Sequence, residues 1–190
     1  MQVPRRKSLS DADLLDRVLT LIRRSGPQGV TFAAAATETG LSGPTLVQRF
    51  GTRDGLLHAA LLRAWDLLDE RTEAAIAAEP TTPAGAAAIL VTLSGDFGSG
   101  ENYAEGLLVL REDLRNAELR ARGDRWGKRL AEALGRCLGD ASGPRPDLGK
   151  LLASQWQGAL LWWGFSRNGT PAEAVKDGLI AFCKAIGRDI

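Results

Sequence analysis

Apolar residues recur at helical spacing along nearly the whole chain, and no segment keeps the strict alternation expected of a strand. Glycine, proline and helix-capping residues divide this pattern into separate stretches. The first stripe runs from Leu14 to Ile22, follows Ser10 as a cap, and stops at Ser25-Gly26-Pro27. The pattern as a whole predicts an all-α fold of about nine helices.

Eight further helices are predicted after the first, and the first two of these are short. Thr31 precedes a short Ala-rich segment that ends at Gly40, and Ser42 precedes a second short segment that ends at Phe50. Thr52 precedes a long segment whose apolar stripe reaches Leu68. Further helices are predicted over residues 83–96, 107–114, 126–138, 147–167 and 171–188, the last with Thr170, Pro171 and Glu173 as its capping signal.

Residues 31–57, TFAAAATETGLSGPTLVQRFGTRDGLL, have the layout of a helix-turn-helix. Gly40 can adopt the positive φ that ends the first helix, Leu41 can plug the angle between the helices, and Ser42 can cap the second. The next three residues, Gly43-Pro44-Thr45, would then face the major groove of DNA. Because they are small, the backbone there can come close to the duplex.

This stretch resembles the DNA-binding segment of the tetracycline-repressor (TetR) family of regulators. The matching positions are Thr31, Ala35, Gly40, Ser42, Thr45, Leu46, Phe50 and Leu56, with close substitutes at Leu41, Thr52, Arg53 and Asp54. The resemblance implies a three-helix DNA-binding domain over residues 1–60 and an effector-binding and dimerisation domain over residues 61–190. It also implies a ligand-responsive homodimeric repressor that reads a palindromic operator in the major groove and responds to a small, largely apolar effector.

The resemblance also assigns DNA contacts. Phosphate contacts fall to Thr31, Thr45, Arg49 and Arg53, and base reading falls to Gln48, whose amide can pair bidentately with adenine. Two positions depart from the family pattern, since Val47 stands where a phosphate-binding Tyr is usual and Arg49 where a His is usual. Arg49 can hold a phosphate bidentately or read guanine. Arg5, Arg6 and Lys7 are candidates for an arm that reaches an adjacent minor groove.

Apolar faces of the C-terminal two-thirds of the chain allow a dimer interface and a ligand pocket, as the resemblance implies. The expected dimer face comprises Leu151, Gly158, Trp162 and Phe165 of the penultimate helix and Val175, Leu179, Phe182 and Ile186 of the last. The expected pocket walls are Trp65, Phe97, Tyr103, Leu107, Leu110, Trp126, Trp156 and Trp163. Two alternatives stay open. The two faces of the penultimate helix could have the opposite roles, or the residues expected to line the pocket could form a filled core.

Composition and charge add limits to this picture. The 190 residues are 44% hydrophobic and 25% charged, with no run of eighteen apolar residues and no secretory signal, so a cytoplasmic protein without a membrane partner is expected. Cys137 and Cys183 are too far apart in sequence to suggest a disulfide scaffold or a zinc site. The net charge of +1 divides into +3 through residue 60 and −2 beyond it, which suits a DNA-facing first domain.

An enzyme is the first alternative class. The chain has a single histidine, His58, and lacks a Gly-rich phosphate loop, a nucleophile elbow and a Cys/His cluster. The adjacent carboxylates Glu112 and Asp113 would point in different directions on a helix. We therefore expect no catalytic residues, no metal and no cofactor. The second alternative is a helical interaction protein that has lost DNA binding, and Val47 is the residue that keeps it open.

Overall fold

The computed structural model describes residues 9–95 and 100–188. Within these ranges the chain is all-α, as predicted, with nine α-helices and no strand. The helices are α1 (Asp11–Ser25), α2 (Phe32–Thr39), α3 (Gly43–Phe50), α4 (Arg53–Ala78), α5 (Pro83–Leu93), α6 (Gly100–Arg115), α7 (Ala117–Cys137), α8 (Pro146–Ser166) and α9 (Pro171–Ala185), and a 3₁₀ turn, Pro27–Gly29, lies between α1 and α2.

Hydroxyl caps begin most of the helices at the predicted positions. Ser10, Thr31, Ser42 and Thr52 each accept a hydrogen bond from the backbone N–H three residues later. Thr170 forms a complete capping box with Glu173, which lowers the pKa of that carboxyl through hydrogen bonds from the Thr170 backbone and hydroxyl. These predicted starts are confirmed, whereas α6 begins earlier than its apolar pattern indicated and α5 ends earlier.

A first buried cluster forms where α1, α2 and α3 pack on the beginning of α4. Its fully buried members include Leu14, Val18, Leu46 and Leu56. Arg63 of α4 also donates two hydrogen bonds to the Asp16 carboxylate of α1, at 2.8 and 3.2 Å. This pairing lowers the pKa of Asp16 and adds a charged link between α1 and α4 to the contacts of the buried leucines.

A second buried cluster joins the end of α4 to α5, α7, α8 and α9. Leu134, Leu152 and Leu160 form its centre, and Trp156 and Cys183 are also buried in it. Ion pairs fasten α7 along α4, with Arg122 contacting Asp66 at 2.6 Å and Asp69 at 2.8 Å, and Arg129 contacting Glu73 at 2.6 Å.

Helix α4 runs through the boundary predicted at residues 60 and 61 and supplies side chains to both clusters. Two clusters of buried residues are compatible with two functional units, and the division at residue 60 stays a prediction. None of the helices in the described ranges is long and apolar enough to cross a membrane.

Candidate functional sites

The turn between α2 and α3 has the geometry that a helix-turn-helix requires. Gly40 ends α2 in the left-handed conformation, with φ 73°, which a residue with a side chain adopts only at a cost. Leu41 packs against the first buried cluster, as expected for a residue that plugs the angle between the helices. Ser42 caps α3 and lies 2.8 Å from the Thr45 hydroxyl, so the first turn of α3 is held locally.

The outward face of α3 is open to solvent. Leu46 is fully buried and anchors the helix, while Pro44, Val47 and Gln48 are exposed. Val47 presents 46% of its surface, at the position where the TetR pattern has a tyrosine. A Cβ built on Gly43 meets no atom within 4 Å, so the space in front of the first turn is free for a close approach. Gln48 is therefore accessible on the outward face of α3, and its base-reading role stays a prediction.

Arg49 lies on this face but is already paired. Its Nη1 donates to Asp11 Oδ1 at 3.0 Å and to the Leu9 carbonyl at 3.2 Å, which links α3 to the start of α1. An exposed pair of this kind contributes about 0–1 kcal/mol. A phosphate can replace Asp11 as the partner at little cost, so the pairing leaves Arg49 available as a DNA contact.

Arg53 has partners inside the protein, and its phosphate role stays a prediction. Its Nε donates to the Val30 carbonyl at 2.9 Å, one terminal nitrogen donates to the Pro27 carbonyl, and the other contacts Asp54 at 2.9 Å. All three guanidinium nitrogens therefore have partners in the chain. The sequence prediction missed this because carbonyls of the 3₁₀ turn come within reach of α4 only through the fold.

Arg53→Ala is expected to lower the free energy of unfolding by about 2 kcal/mol, because two backbone carbonyls lose a charged donor. Denaturant titration followed by circular dichroism measures the change. Asp54→Asn is the matched control, since it removes only an exposed ion pair and should cost less than about 1 kcal/mol. Unchanged stability combined with lost DNA affinity in Arg53→Ala would contradict this structural role and support the predicted phosphate contact.

The basic excess of the first sixty residues depends on the N-terminal segment. From residue 9 to residue 60, the arginines at 17, 23, 24, 49 and 53 are balanced by acids at 11, 13, 16, 38 and 54. The predicted arm, Arg5, Arg6 and Lys7, lies outside the described residues. Thr31, the remaining predicted phosphate contact, is exposed and caps α2 through the Ala34 N–H.

The expected pocket residues do not line one common cavity. Trp156, Trp163 and Tyr103 are buried in the second cluster, so they belong to the filled core that stood as the alternative. The indoles of the two tryptophans have hydrogen-bond partners within the chain. Trp156 Nε1 donates to Ser94 Oγ at 2.7 Å, and Trp163 Nε1 donates to the Gly169 carbonyl at 3.1 Å. Trp126 donates to Thr72 Oγ1 at 2.9 Å, Leu107 is exposed on α6, and Phe97 lies outside the described residues.

Trp65 and Leu110 do border a cavity, of about 440 Å³, between α1, α4 and α6. Most of its wall is apolar, and Asp113 lies in it with its Oδ1 accepting a hydrogen bond from Trp65 Nε1 at 3.2 Å. Burial raises the pKa of Asp113 to about 6, the Trp65 hydrogen bond opposes this, and the charge of Glu112 adds to it. Sequence reasoning missed Asp113 as a pocket residue, although it follows Gly106, Val109 and Leu110 at helical spacing.

The expected dimer face divides between surface and core. Leu151, Trp162 and Phe165 of α8 are exposed, the last two by 72% and 76%, and no atom lies within 4 Å of a Cβ built on Gly158. On α9 the expectation is wrong for Val175 and Leu179, which are fully buried against α5 and α8 within the same chain. Phe182 also packs on this core, and Ile186 is half-buried.

Comparison with solved structures finds the same architecture over almost the whole chain. A transcriptional regulator from Saccharomonospora viridis, solved with choline, has a TM-score of 0.69 at 22% identity, covering 90% of this chain and 93% of its own. A TetR-like regulator from Rhodococcus sp. RHA1 has a TM-score of 0.65 at 18% identity, covering 98% and 100%.

The multidrug binding protein EbrR, complexed with imidazole, has a TM-score of 0.62 at 17% identity, covering 95% of this chain and 96% of its own. EbrR has also been solved with malachite green and with proflavin. No protein-family model and no curated protein matches the chain. From the helix-turn-helix to the last two helices, the chain has the fold of the TetR-type transcriptional regulators.

Proposed function

We propose that the chain is a DNA-binding transcriptional regulator of the TetR family, and that it acts as a homodimeric, ligand-responsive repressor. The observation that carries the proposal is the exposed face of α3, which presents Gln48 and Arg49 beside a Gly40-Leu41-Ser42 turn of helix-turn-helix geometry. The similar solved structures support it, because they are transcriptional regulators and the similarity covers almost the full length of their chains. The unit through residue 60 reads DNA, and residues 61–190 dimerise and bind an effector.

The exposed stripe of α8 supports the dimer. Leu151, Trp162 and Phe165 form an apolar surface on one side of this helix, and Gly158 leaves room between them. A groove of about 540 Å³ between α8 and α9 lies beside Trp162 and Phe165 and has Ala159, Ala174 and Gly178 among its walls. Large aromatic side chains of one protomer can enter the same groove of its two-fold mate, which gives a four-helix interface.

Regulation follows from the spacing of the two helix-turn-helix units, the reading heads, in this dimer. A palindromic operator presents its half-sites about one helical turn apart, or a little more, so only one separation of the α3 helices fits both. An effector that prefers another separation lowers DNA affinity by shifting the population. The ligands of the neighbouring structures, among them choline and proflavin, support a small organic effector.

Selection of bound DNA from a random pool tests the proposed function. We expect enrichment of a palindrome whose half-sites are centred about one turn apart or slightly more. The purified full chain should then retard this duplex, and a variant of the duplex with one half-site scrambled should bind far more weakly. Recovery of unrelated sequences would contradict the regulator and favour a helical interaction protein that does not read DNA.

A further inference from the structure

The cavity between α1, α4 and α6 is mostly apolar but contains one acidic group. Leu19 and Ile22 of α1, Leu61 and Leu68 of α4 and Val109 of α6 form much of its wall. Its volume of about 440 Å³ lies in the range of pockets for drug-sized molecules. Asp113 and the edge of Trp65 supply polar atoms to this wall.

The hydrogen-bond partner of the Asp113 carboxylate is a neutral indole and not a basic side chain. The Trp65 indole N–H donates to its carboxylate at 3.2 Å, and no basic side chain of residues 9–95 or 103–188 lies within ion-pair distance of it. A half-buried carboxylate without a counter-charge is less well solvated than one at the surface, so a cation that enters the cavity is attracted to it more strongly than at an exposed site. With its pKa raised to about 6 by burial, Asp113 carries its negative charge in most molecules at neutral pH.

Two arginines, Arg23 and Arg71, also line the cavity, and neither forms an ion pair with Asp113. Arg23 of α1 is exposed and donates to Thr20 Oγ1 on its own helix. Arg71 of α4 lies in the wall of the cavity and donates to the Thr92 carbonyl at the end of α5. On α6 itself the neighbouring charge is that of Glu112, which is also negative.

We propose that this cavity binds a monovalent organic cation with a bulky apolar body. The cationic centre lies against the Asp113 carboxylate and the Trp65 ring, which can add a cation–π contact, and the body packs on the leucine wall. The proposal rests on the proposed function, because it gives the effector its chemical class. Since α1 belongs to the helix-turn-helix unit and α6 does not, a molecule seated between them acts directly on the position of the reading head.

Binding of tetraphenylphosphonium to the DNA-free full chain tests the proposal, with tetraphenylborate as an anion of the same shape. Titration calorimetry is expected to show tetraphenylphosphonium binding, with affinity reduced at least tenfold by Asp113→Asn. Glu112→Gln is the matched control, since it removes the same charge one residue away, and its affinity should stay within about twofold of the wild type. Equal binding in Asp113→Asn, or preference for tetraphenylborate, would overturn the proposal.

The pH dependence separates the carboxylate from the apolar wall. Protonation removes the charge of Asp113 below its pKa, so affinity for tetraphenylphosphonium should fall about tenfold between pH 7.5 and pH 5, and the fall should be absent in Asp113→Asn. Because the folded-state pKa of Asp113 lies above its unfolded value, the contribution of this group to stability declines as pH rises from about 4 to 6. Asp113→Asn lacks this decline, so a loss of its binding at neutral pH does not reflect unfolding.

Failure of this proposal and failure of the proposed function are distinguishable, because the titration contains no DNA. Cation binding that depends on Asp113, in a protein that enriches no palindrome, would keep the site and remove the regulator. An enriched palindrome with no tetraphenylphosphonium binding would keep the regulator and overturn the cation site. If both hold, tetraphenylphosphonium should release the selected duplex from the wild type and leave it bound to Asp113→Asn.

Discussion

Arg49→Ala is expected to weaken binding to the selected operator by about 100-fold or more. Each protomer loses a charge-assisted contact of about 1.5–3 kcal/mol, and the proposed dimer carries two copies. In the free protein Arg49 gives up only exposed contacts with Asp11 and the Leu9 carbonyl, so the loss comes mostly from the complex. Gel-shift titrations at several salt concentrations should also show the slope of log affinity against log salt reduced in magnitude by about 2.

Arg24→Ala provides the control for this experiment. Arg24 is an exposed arginine of the same unit, but it pairs with Glu38 on α2 and lies outside α3. Its removal changes the net charge equally, so operator affinity should fall by less than about threefold if contact geometry decides the effect. Equal losses in both variants would mean that general charge attraction, and no specific contact by Arg49, accounts for DNA binding.

The double variant Trp162→Asp/Phe165→Asp is expected to convert the protein to a folded monomer. Both side chains are largely exposed in the protomer, with ring centroids 5.9 Å apart, so little intrachain packing is lost. In the proposed interface the same substitutions bury four uncompensated carboxylates per dimer, which prevents association. Light scattering coupled to size-exclusion chromatography measures the mass, and operator affinity should fall about 1000-fold as bivalent binding is lost.

Leu114→Asp is the matched control for the dimer prediction. Leu114 is 60% exposed on α6, so this change also places an acid on an exposed apolar position, away from α8. It should leave the mass and the operator affinity unchanged. A double variant that remains dimeric with native affinity would show that the exposed stripe of α8 is not the interface.

Local features of the fold were predictable from the sequence because they depend on residues three or four apart. The hydroxyls of Ser10, Thr31, Ser42 and Thr52 reach backbone donors within the same turn, so the sequence alone determines where these helices begin. The left-handed conformation of Gly40 at the end of α2 is likewise determined by the local sequence. For this reason the helix-turn-helix, including its exposed Gln48, was identified from a short stretch of residues.

Features that depend on distant partners were not predictable in this way. A single apolar stripe on α9 indicates that Val175 and Leu179 are buried, but it does not say whether the covering surface belongs to the same chain or to a second copy. Likewise, the sequence does not show that the fold brings the carbonyls of Pro27 and Val30 within hydrogen-bond distance of Arg53. Asp113 became a pocket residue only when α1 and α4 enclosed it.

The continuity of α4 has a consequence for folding cooperativity. Its 26 residues place Leu56 and Leu61 in the first buried cluster and Ala75 in the second, with no break between them. Melting either cluster frays the helix that the other cluster needs, so the two lose structure together. A chain cut after residue 60 would lose Leu61 and the helical support behind Leu56. A substitution that loosens α1 therefore lowers the fraction of molecules with an intact α8 surface. It weakens dimerisation although it lies outside the proposed interface.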